Sequence, residues 1–425
     1  SLQGPPLTEL HMDVVRLAFL IASFMFLISC AQDGSKTTEN VFVEKSTNPC
    51  NAKEIENQYI VQWEDGTFTT EHGTSLESFK QDFVEKNLQS IKKIHYDHKV
   101  QFYTQSEMTA MSEPLTPNNT TASEQTWGQT MVQADSVWQK NAFGQNVVVG
   151  VVDSYVDVTH SQLKNQILIN TKEIPNNGKD DDGNGYVDDY SSMNFTGVAN
   201  YTIQNEHGTH VAGIIASDHS GLMKGIAPNA KIIAAPFISN DGSGSLGDAI
   251  SAMNYVVSRG AKVINASWGG SVCVSTLKDA FNEISAKGVL IVVAAGNESR
   301  DLDYNPTYPA AFNIAGQITV GASNINDYMT SFSNSSFNLV HLAAPGDAIM
   351  STTPNEKYNY LKGTSMAAPF VTGAAAVLIS AFPKATPAQI KEALINSVDI
   401  TPNHEFRVSS RGRLNLLKAY NYLNR

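Results

Sequence analysis

Short apolar runs alternate with longer segments of helical periodicity between residues 126 and 425. The segment Val147–Val152 is apolar and largely β-branched, which is the pattern of a strand buried on both faces of a parallel sheet. Similar patterns predict strands over 230–237, 262–266, 290–295 and 317–320, and helices over 248–259, 275–287 and 369–381. The alternation predicts an α/β fold with a mainly parallel sheet that is covered by helices on both faces.

A smaller pattern precedes this domain. Residues 58–63 have a strand-like sequence, Leu76, Phe79 and Phe83 recur at helical spacing, and a second strand is expected around 100–103. These elements predict a small α+β unit over 58–110, followed by an exposed linker over 111–125 that is rich in Pro, Thr, Asn and Ser.

Residues 1–29 are expected to comprise an N-terminal extension over 1–11, before Met12, and a signal peptide. The apolar stretch 17–28 follows Arg16 and is shorter than the roughly 20 residues of a membrane-spanning helix, so it predicts a signal peptide. Leu27-Ile28-Ser29-Cys30 is similar to the bacterial lipoprotein processing box, which implies lipidation of Cys30; an ordinary secretory signal is the alternative. The polar segment 30–57 is expected to be a flexible tether.

The net charge bears on the kind of partner, and the cysteine content on possible disulfides. The formal net charge of -12 argues against a nucleic-acid partner. Besides Cys30 the chain has Cys50 and Cys273, which in an exported protein either pair or remain two independent thiols.

Four polar residues are candidates for nucleophilic chemistry. Ser365 lies in Gly-Thr-Ser-Met-Ala-Ala-Pro, at the predicted mouth of an apolar helix. A serine nucleophile needs a base, a group that orients the base, and donors for an oxyanion. His207 in Glu-His-Gly-Thr-His is the candidate base, Asp153 at the end of a predicted strand is the orienting carboxylate, and Asn297 is a candidate oxyanion donor.

These segments, and the chain order Asp153, His207, Ser365, resemble the subtilisin-like serine proteases, the subtilase family. The resemblance continues through 224–230, 267–269, 308–310, 331–334, 343–346 and 412–415. It implies a subtilisin-like three-layer domain over 126–425 that cleaves peptide bonds in proteins. It also implies that 58–110 is an inhibitory propeptide that is removed by self-cleavage; a permanent accessory domain is the alternative.

The resemblance also implies where substrate binds. Ser267, Trp268 and Gly269 would form one wall of the first specificity pocket, and Ala294, Ala295 and Gly296 the other. Small walls and no expected carboxylate predict a broad endopeptidase that prefers large apolar side chains. One departure is Tyr155, where the family usually has glycine, so the loop after Asp153 is expected to differ.

A dense acidic loop predicts a second site. Asp180, Asp182 and Asn184 take the first, third and fifth places of an EF-hand-like loop, with Tyr186 and Asp188 at the seventh and ninth. These oxygen ligands favour a structural Ca2+, which resemblance to other subtilases also implies; a solvated acidic turn is the alternative. No organic cofactor is expected.

Together these features predict an exported, self-processing serine endopeptidase of a bacterial cell envelope. Its partners would be protein or peptide substrates, its own propeptide, and the outer membrane or cell surface through a lipid anchor. A competing hypothesis is a calcium-dependent surface binding protein that uses an inactive subtilase scaffold.

Overall fold

The structure is a computed structural model that describes residues 36–43, 53–101, 126–198, 205–271 and 275–425. The expected signal peptide, Cys30, Cys50, Cys273 and the linker 111–125 lie outside the described residues.

The larger part of the described chain is built on one sheet of eight strands. Their order is β13-β14-β10-β9-β8-β7-β4-β5, and neighbours are parallel except for β13 and β14. The strands are β4 (Val148–Asp153), β5 (Lys231–Pro236), β7 (Val263–Ala266), β8 (Leu290–Ala294), β9 (Gln317–Ser323), β10 (Leu342–Pro345), β13 (Asp399–Ile400) and β14 (Gly412–Arg413). A separate antiparallel hairpin joins β11 (Ile349–Thr353) to β12 (Lys357–Leu361).

Helices cover both faces of this sheet. They are α2 (Trp127–Met131), α3 (Ala134–Trp138), α4 (His207–Ala216), α5 (Leu246–Ser258), α6 (Ser275–Ala286), α7 (Thr364–Ala381), α8 (Pro387–Asn396) and α9 (Leu416–Leu423). Val151 of β4 packs in one core with residues of α4 and α7, whereas the next residue, Val152, packs in a second core with α5 and α6. Successive strand residues point to opposite faces, so the two cores lie on the two sides of the sheet. The predicted α/β layer architecture is confirmed.

A smaller sheet contains the N-terminal elements. It consists of β1 (Lys53–Trp63), β2 (Phe68–His72) and β3 (Ile91–Gln101), with a helical segment α1 over 76–87 whose middle, Lys80–Val84, is π-helical. The strand order β2-β1-β3-β6 includes β6 (Ser243–Ser245), which belongs to the larger part of the chain. The small unit is therefore joined to the larger one by backbone hydrogen bonds.

Two details of the sequence interpretation are wrong. Part of the expected flexible tether is folded: Val41 is buried, and Val43 N donates to Ile94 O at 2.9 Å. The apolar run Val41-Phe42-Val43 within a polar segment supplies this contact. The helix expected from Pro369 begins at Thr364, so the proline lies inside the helix and not in its first turn.

Candidate active site

Asp153 and His207 meet at the carboxyl end of β4. Asp153 is the last residue of that strand, and His207 is the first residue of α4. The Nδ1 atom of His207 lies 2.7 Å from Oδ1 of Asp153, and both side chains are buried. The Oδ1 of Asn205 accepts from His207 N at 2.9 Å, which fixes the start of the helix. Because the carboxylate faces Nδ1, the imidazole is oriented with its Nε2 edge away from Asp153.

The second histidine of the motif, His210, has a different environment. Its Nε2 lies 2.9 Å from Ile349 O and 3.1 Å from Asn359 O, both in the β11–β12 hairpin. Burial lowers the pKa of His210 to about 3, so it stays neutral near pH 7. This ring anchors α4 to the hairpin, and the motif thus separates into one histidine beside a carboxylate and one structural histidine.

Ser365 lies in the first turn of α7. The helix begins at Thr364 after Gly363, so the Ser365 N–H is one of the helix N-terminal donors without an intrahelical acceptor. The Ser365 hydroxyl donates to Ser267 O at 3.1 Å. Ser267 directly follows β7, the parallel neighbour of β4, so Ser365 lies at the same end of the sheet as Asp153.

Asn297 is held beside this turn. Its Oδ1 accepts from Thr364 N at 2.8 Å and from Thr364 Oγ1 at 3.0 Å, so the amide nitrogen is directed away from those donors. A Cβ placed on Gly363 would lie 3.3 Å from Asn297 Nδ2 and 3.7 Å from Ser365 N. Two donors therefore converge on a space that is open because residue 363 is glycine.

Comparison with known proteins identifies this arrangement. The sequence profile described as "Subtilase family" matches residues 144–419. The chain belongs to the subtilase family. It is 38% identical over 257 residues to the "Major intracellular serine protease" of Bacillus subtilis (strain 168), covering 60% of this chain and 74% of that relative. It is 34% identical over 310 residues to "Thermitase" of Thermoactinomyces vulgaris, covering 72% and 100%. The "Thermophilic serine proteinase" of Bacillus sp. (strain AK1) is 30% identical over 380 residues, covering 86% of this chain and 88% of the relative. The chain is a serine endopeptidase.

The candidate substrate pocket of this subtilase lies beside Ser365. It is lined by Trp268, Gly269, Gly270, Ala294, Gly296, Asn297, Glu298, Thr307, Thr364 and Ser365. Ser267 and Ala295 are fully buried and do not line it. No carboxylate was predicted here, but Glu298, the residue after Asn297, lines the pocket.

Asn334 explains how the pocket loop is held. Its Nδ2 donates to Ala295 O at 2.9 Å and to Glu298 Oε2 at 2.6 Å, while its Oδ1 accepts from Glu298 N and Arg300 N. A Cβ on Gly296 would lie only 2.4 Å from Asn334 Nδ2, and Gly296 has a φ of +101°. Asn334 lay in a segment that matched the family, but the sequence did not indicate this role.

Tyr155, at the position where the family usually has glycine, does not need a glycine-like backbone conformation here. Tyr155 is not among the described residues with a positive φ. Its backbone conformation is therefore not one restricted to glycine, and its carbonyl accepts from Thr209 Oγ1 at 3.4 Å.

The acidic loop brings two of its carboxylates together with a third, Glu173, that precedes the loop motif. Ligand atoms of Glu173, Asp180 and Asp182 lie within 4.8 Å of one another. Glu173 is only 4% exposed, and its Oε2 is buried without a hydrogen-bond partner. Its other oxygen accepts from Asp181 N and Asp182 N. Glu173 precedes the loop motif, so the EF-hand spacing did not indicate it.

Other predicted loop residues are used within the loop. Both carboxylate oxygens of Asp188 accept backbone N–H groups at 2.9 Å, from Asn177 and Gly178. The Oδ1 of Asn184 accepts from Tyr186 N at 2.8 Å. The backbone N–H groups of Gly185, Gly183 and Asn184 donate to Asp180 and lower its pKa.

Asp189 fastens the end of this loop to α5. The carboxylate is buried and accepts from Arg259 Nη1 at 2.6 Å and from Tyr255 Oη at 3.0 Å. It also accepts from Asn170 Nδ2 at 2.6 Å and Asn184 Nδ2 at 3.1 Å. The acidic loop is thus held to the helix that begins directly after β6.

Proposed function

We propose that Asp153, His207, Ser365 and Asn297 carry peptide-bond hydrolysis in this endopeptidase. The observation that supports it best is the buried 2.7 Å Asp153–His207 contact, which lies at the same sheet edge as the first turn of α7. The Ser365 hydroxyl rotates from the Ser267 carbonyl to Nε2 of His207 and attacks the substrate carbonyl as His207 takes its proton. Asp153 holds the ring and stabilises the imidazolium that forms.

The oxyanion of the tetrahedral intermediate forms between Asn297 Nδ2 and Ser365 N. These are fixed donors in a buried environment, where hydrogen bonds to a developing charge are strong. His207 then protonates the leaving amine, an acyl-enzyme remains on Ser365, and water repeats the cycle from the other side. Each proton that His207 accepts is returned within the cycle.

A fluorophosphonate probe tests these assignments. We expect the full chain to be labelled, Ser365→Ala not to be labelled, and Ser380→Ala, on the same helix, to be labelled as the unmutated chain is. If folded unmutated protein is not labelled, the assignment of Ser365 is wrong and the hypothesis of an inactive binding protein gains support.

We propose that the small N-terminal unit is a propeptide removed by self-cleavage. Strand β3 pairs with β6 from Lys99↔Ser245 to Gln101↔Ser243, so the chain leaves the unit alongside an edge strand of the peptidase part. The Oδ1 of Asp97 accepts from Gly247 N at 3.0 Å, at the first turn of α5. A carboxylate at a helix N-terminus is favourable. The AK1 relative also aligns over more of this chain than the family profile does, which supports a shared upstream region.

Mass spectrometry of purified protein tests this maturation. We expect the unmutated chain to begin within 102–125 and Ser365→Ala to retain the upstream residues, with Ser380→Ala maturing normally. Equal maturation of Ser365→Ala in a protease-deficient host would refute self-cleavage.

We propose that Glu173, Asp180 and Asp182 hold a structural Ca2+. Two oxygens bound to one Ca2+ at about 2.3–2.6 Å lie at most about 5 Å apart, which agrees with the 4.8 Å grouping. The buried, unpartnered Oε2 of Glu173 supports a cation, because an unpaired buried carboxylate oxygen is costly. The ion would join the two halves of the loop that Asp189 ties to α5.

Calcium titration of the full-length Ser365→Ala chain tests this site. We expect Ca2+ to raise Tm by linkage, and Glu173→Gln to weaken binding at least tenfold. Glu405→Gln, an exposed carboxylate elsewhere, serves as the control. Equal Ca2+ affinity in the Glu173→Gln and Glu405→Gln chains would contradict the site.

We propose export with a lipid anchor on Cys30, at a bacterial outer membrane or cell surface. The sequence Leu27-Ile28-Ser29-Cys30 after an apolar segment supports it. In a bacterial host, we expect fatty-acid labelling to be lost in Cys30→Ala and kept in Cys50→Ala. Labelling that persists in Cys30→Ala would contradict the anchor.

We propose a broad specificity with a preference for large apolar side chains. The residues that line the pocket include Gly269, Ala294 and Gly296, none of which places a large side chain in it, while the Glu298 carboxylate disfavours acidic side chains. Peptides that differ only at the residue before the cleaved bond test this: Phe and Leu should exceed Asp and Glu in kcat/KM, and Glu298→Gln should reduce discrimination against Asp. Equal cleavage of acidic and apolar peptides would contradict it.

A further inference from the structure

Helix α7 contains a proline four residues after the nucleophile candidate. Pro369 lies inside the helix, and a proline has no N–H to donate to the carbonyl of residue i−4, which is Ser365. Ser365 is only 5% exposed, so water does not readily replace the lost donor. A buried carbonyl without a partner is costly. The Ser267 hydroxyl supplies the missing hydrogen bond, since its Oγ donates to Ser365 O at 2.8 Å.

The Ser267 hydroxyl is itself oriented by two buried side chains. Asn265 Nδ2 donates to Ser267 Oγ at 2.8 Å, so the hydroxyl hydrogen of Ser267 is directed to Ser365. Thr372 Oγ1 lies 2.8 Å from Asn265 Oδ1, with Ala368 O as a longer alternative acceptor at 3.2 Å. Thr372, Asn265 and Ser267 are all fully buried. Donors that run in one direction reinforce one another in such an environment.

We propose that the Ser267 side chain is a positioning residue for the nucleophile, replacing the helix hydrogen bond that Pro369 removes. Ser267 and Ser365 make two reciprocal hydrogen bonds: the Ser267 hydroxyl donates to Ser365 O, and the Ser365 hydroxyl donates to Ser267 O. This pair fixes the backbone of Ser365 on the C-terminal side of its Cα, while Asn297 fixes the preceding residue, Thr364. The inference rests on Ser365 being the nucleophile proposed above.

Because the Ser267 hydroxyl is proposed to replace a hydrogen bond that Pro369 removes, a rescue experiment is possible. Ser267→Ala removes the hydroxyl and leaves Ser365 O unpaired, and we expect kcat and the fluorophosphonate labelling rate to fall by about ten- to a hundredfold with little change in KM. Pro369→Ala restores an N–H four residues after Ser365. The double variant Ser267→Ala/Pro369→Ala should therefore recover to within about threefold of Pro369→Ala alone, because the helix itself now satisfies the carbonyl.

Ser380→Ala is the matched control, since it removes a hydroxyl from the same helix whose acceptor is Gln145 O. It should label at the unmutated rate. If Ser267→Ala does not fold, Ser267→Cys with and without Pro369→Ala replaces it, because a thiol is only a weak donor.

Labelling of Ser267→Ala at the unmutated rate, or a double variant no faster than Ser267→Ala, would overturn the inference. Failure of the unmutated chain to label would instead refute the nucleophile assignment, and this inference with it.

Discussion

Gly363→Ala tests the proposed oxyanion position more directly than removal of either donor. Gly363 has φ +151° and ψ 162°, a region that is essentially restricted to glycine. The alanine Cβ would lie 3.3 Å from Asn297 Nδ2 and 3.7 Å from Ser365 N, in the space where we expect the oxyanion to form. The methyl group therefore obstructs the negative oxygen without deleting a hydrogen-bond donor.

Gly363→Ala should lower both kcat and folding stability. In subtilisin itself, loss of one side-chain oxyanion donor lowers kcat by about 10²–10³, or about 3–4 kcal/mol of transition-state stabilisation. Blocking both donors should cost at least as much, so kcat of Gly363→Ala should fall by about 100-fold or more. The unfavourable backbone conformation adds a loss of folding stability of about 1–3 kcal/mol.

Steady-state kinetics on peptide substrates and thermal unfolding separate these effects. Gly260→Ala is the control, because Gly260 also has a positive φ, +93°, and a Cβ there meets no atom within 4 Å. Both variants should lose stability, but only Gly363→Ala should lose kcat. A Gly363→Ala enzyme with kcat within about threefold of Gly260→Ala would refute the placement of the oxyanion.

Three further predictions follow from other contacts. Burial lowers the pKa of His95 to about 4 despite Asp279 nearby, so its stabilising contribution is present above pH 6.5 and is lost as pH falls toward 4. In the full-length Ser365→Ala chain, Tm should therefore fall more between pH 6.5 and 4 than in Ser365→Ala/His95→Gln. The other titratable groups of this region, Lys93, His98, Asp97 and Asp248, are the same in both chains. Parallel curves of Tm against pH would contradict the role of His95. Gly208→Ala would place a Cβ 2.5 Å from Ser154 O, displacing the start of α4, and kcat should fall at least tenfold; unchanged kcat would show that the helix adapts. Tyr255→Phe removes a donor to buried Asp189 and should lower the unfolding free energy by about 1.5–3 kcal/mol in urea denaturation, an expectation that an unchanged midpoint would contradict.

The strands that surround the site were predictable because their sequences are apolar on both faces. The predicted 262–266, 290–295 and 317–320 correspond to β7, β8 and β9, with ends that differ by up to three residues. Strand β2 was not predicted, since Phe-Thr-Thr-Glu-His contains one apolar residue and its pairing with β1 is a tertiary effect.

Within the site, the sequence alone located residues at strand ends and helix starts. It did not locate residues that reach the site only through tertiary contacts. Asp153 and Asn297 come directly after buried runs, so their places at the sheet edge follow from the strand pattern. Glu173 and Glu298 were missed because neither occupies a motif position for its role. Only the folded chain brings a carboxylate oxygen of Glu173 near one of Asp182, and Glu298 to the pocket.

The region around Ser365, the proposed nucleophile, combines several features that an isolated helix would not tolerate. Gly363 has a glycine-specific backbone conformation, and the first turn of α7 begins without a side-chain cap of its own. Each irregularity is offset by a polar side chain from a neighbouring strand end: Asn297 accepts from Thr364 N, and Ser267 donates to Ser365 O. Since residues 364–378 of α7 are all buried, the helix cannot shift without disturbing the core. The donors near Ser365 are therefore positioned before substrate arrives, which is the condition under which electrostatic stabilisation of a transition state needs no reorganisation.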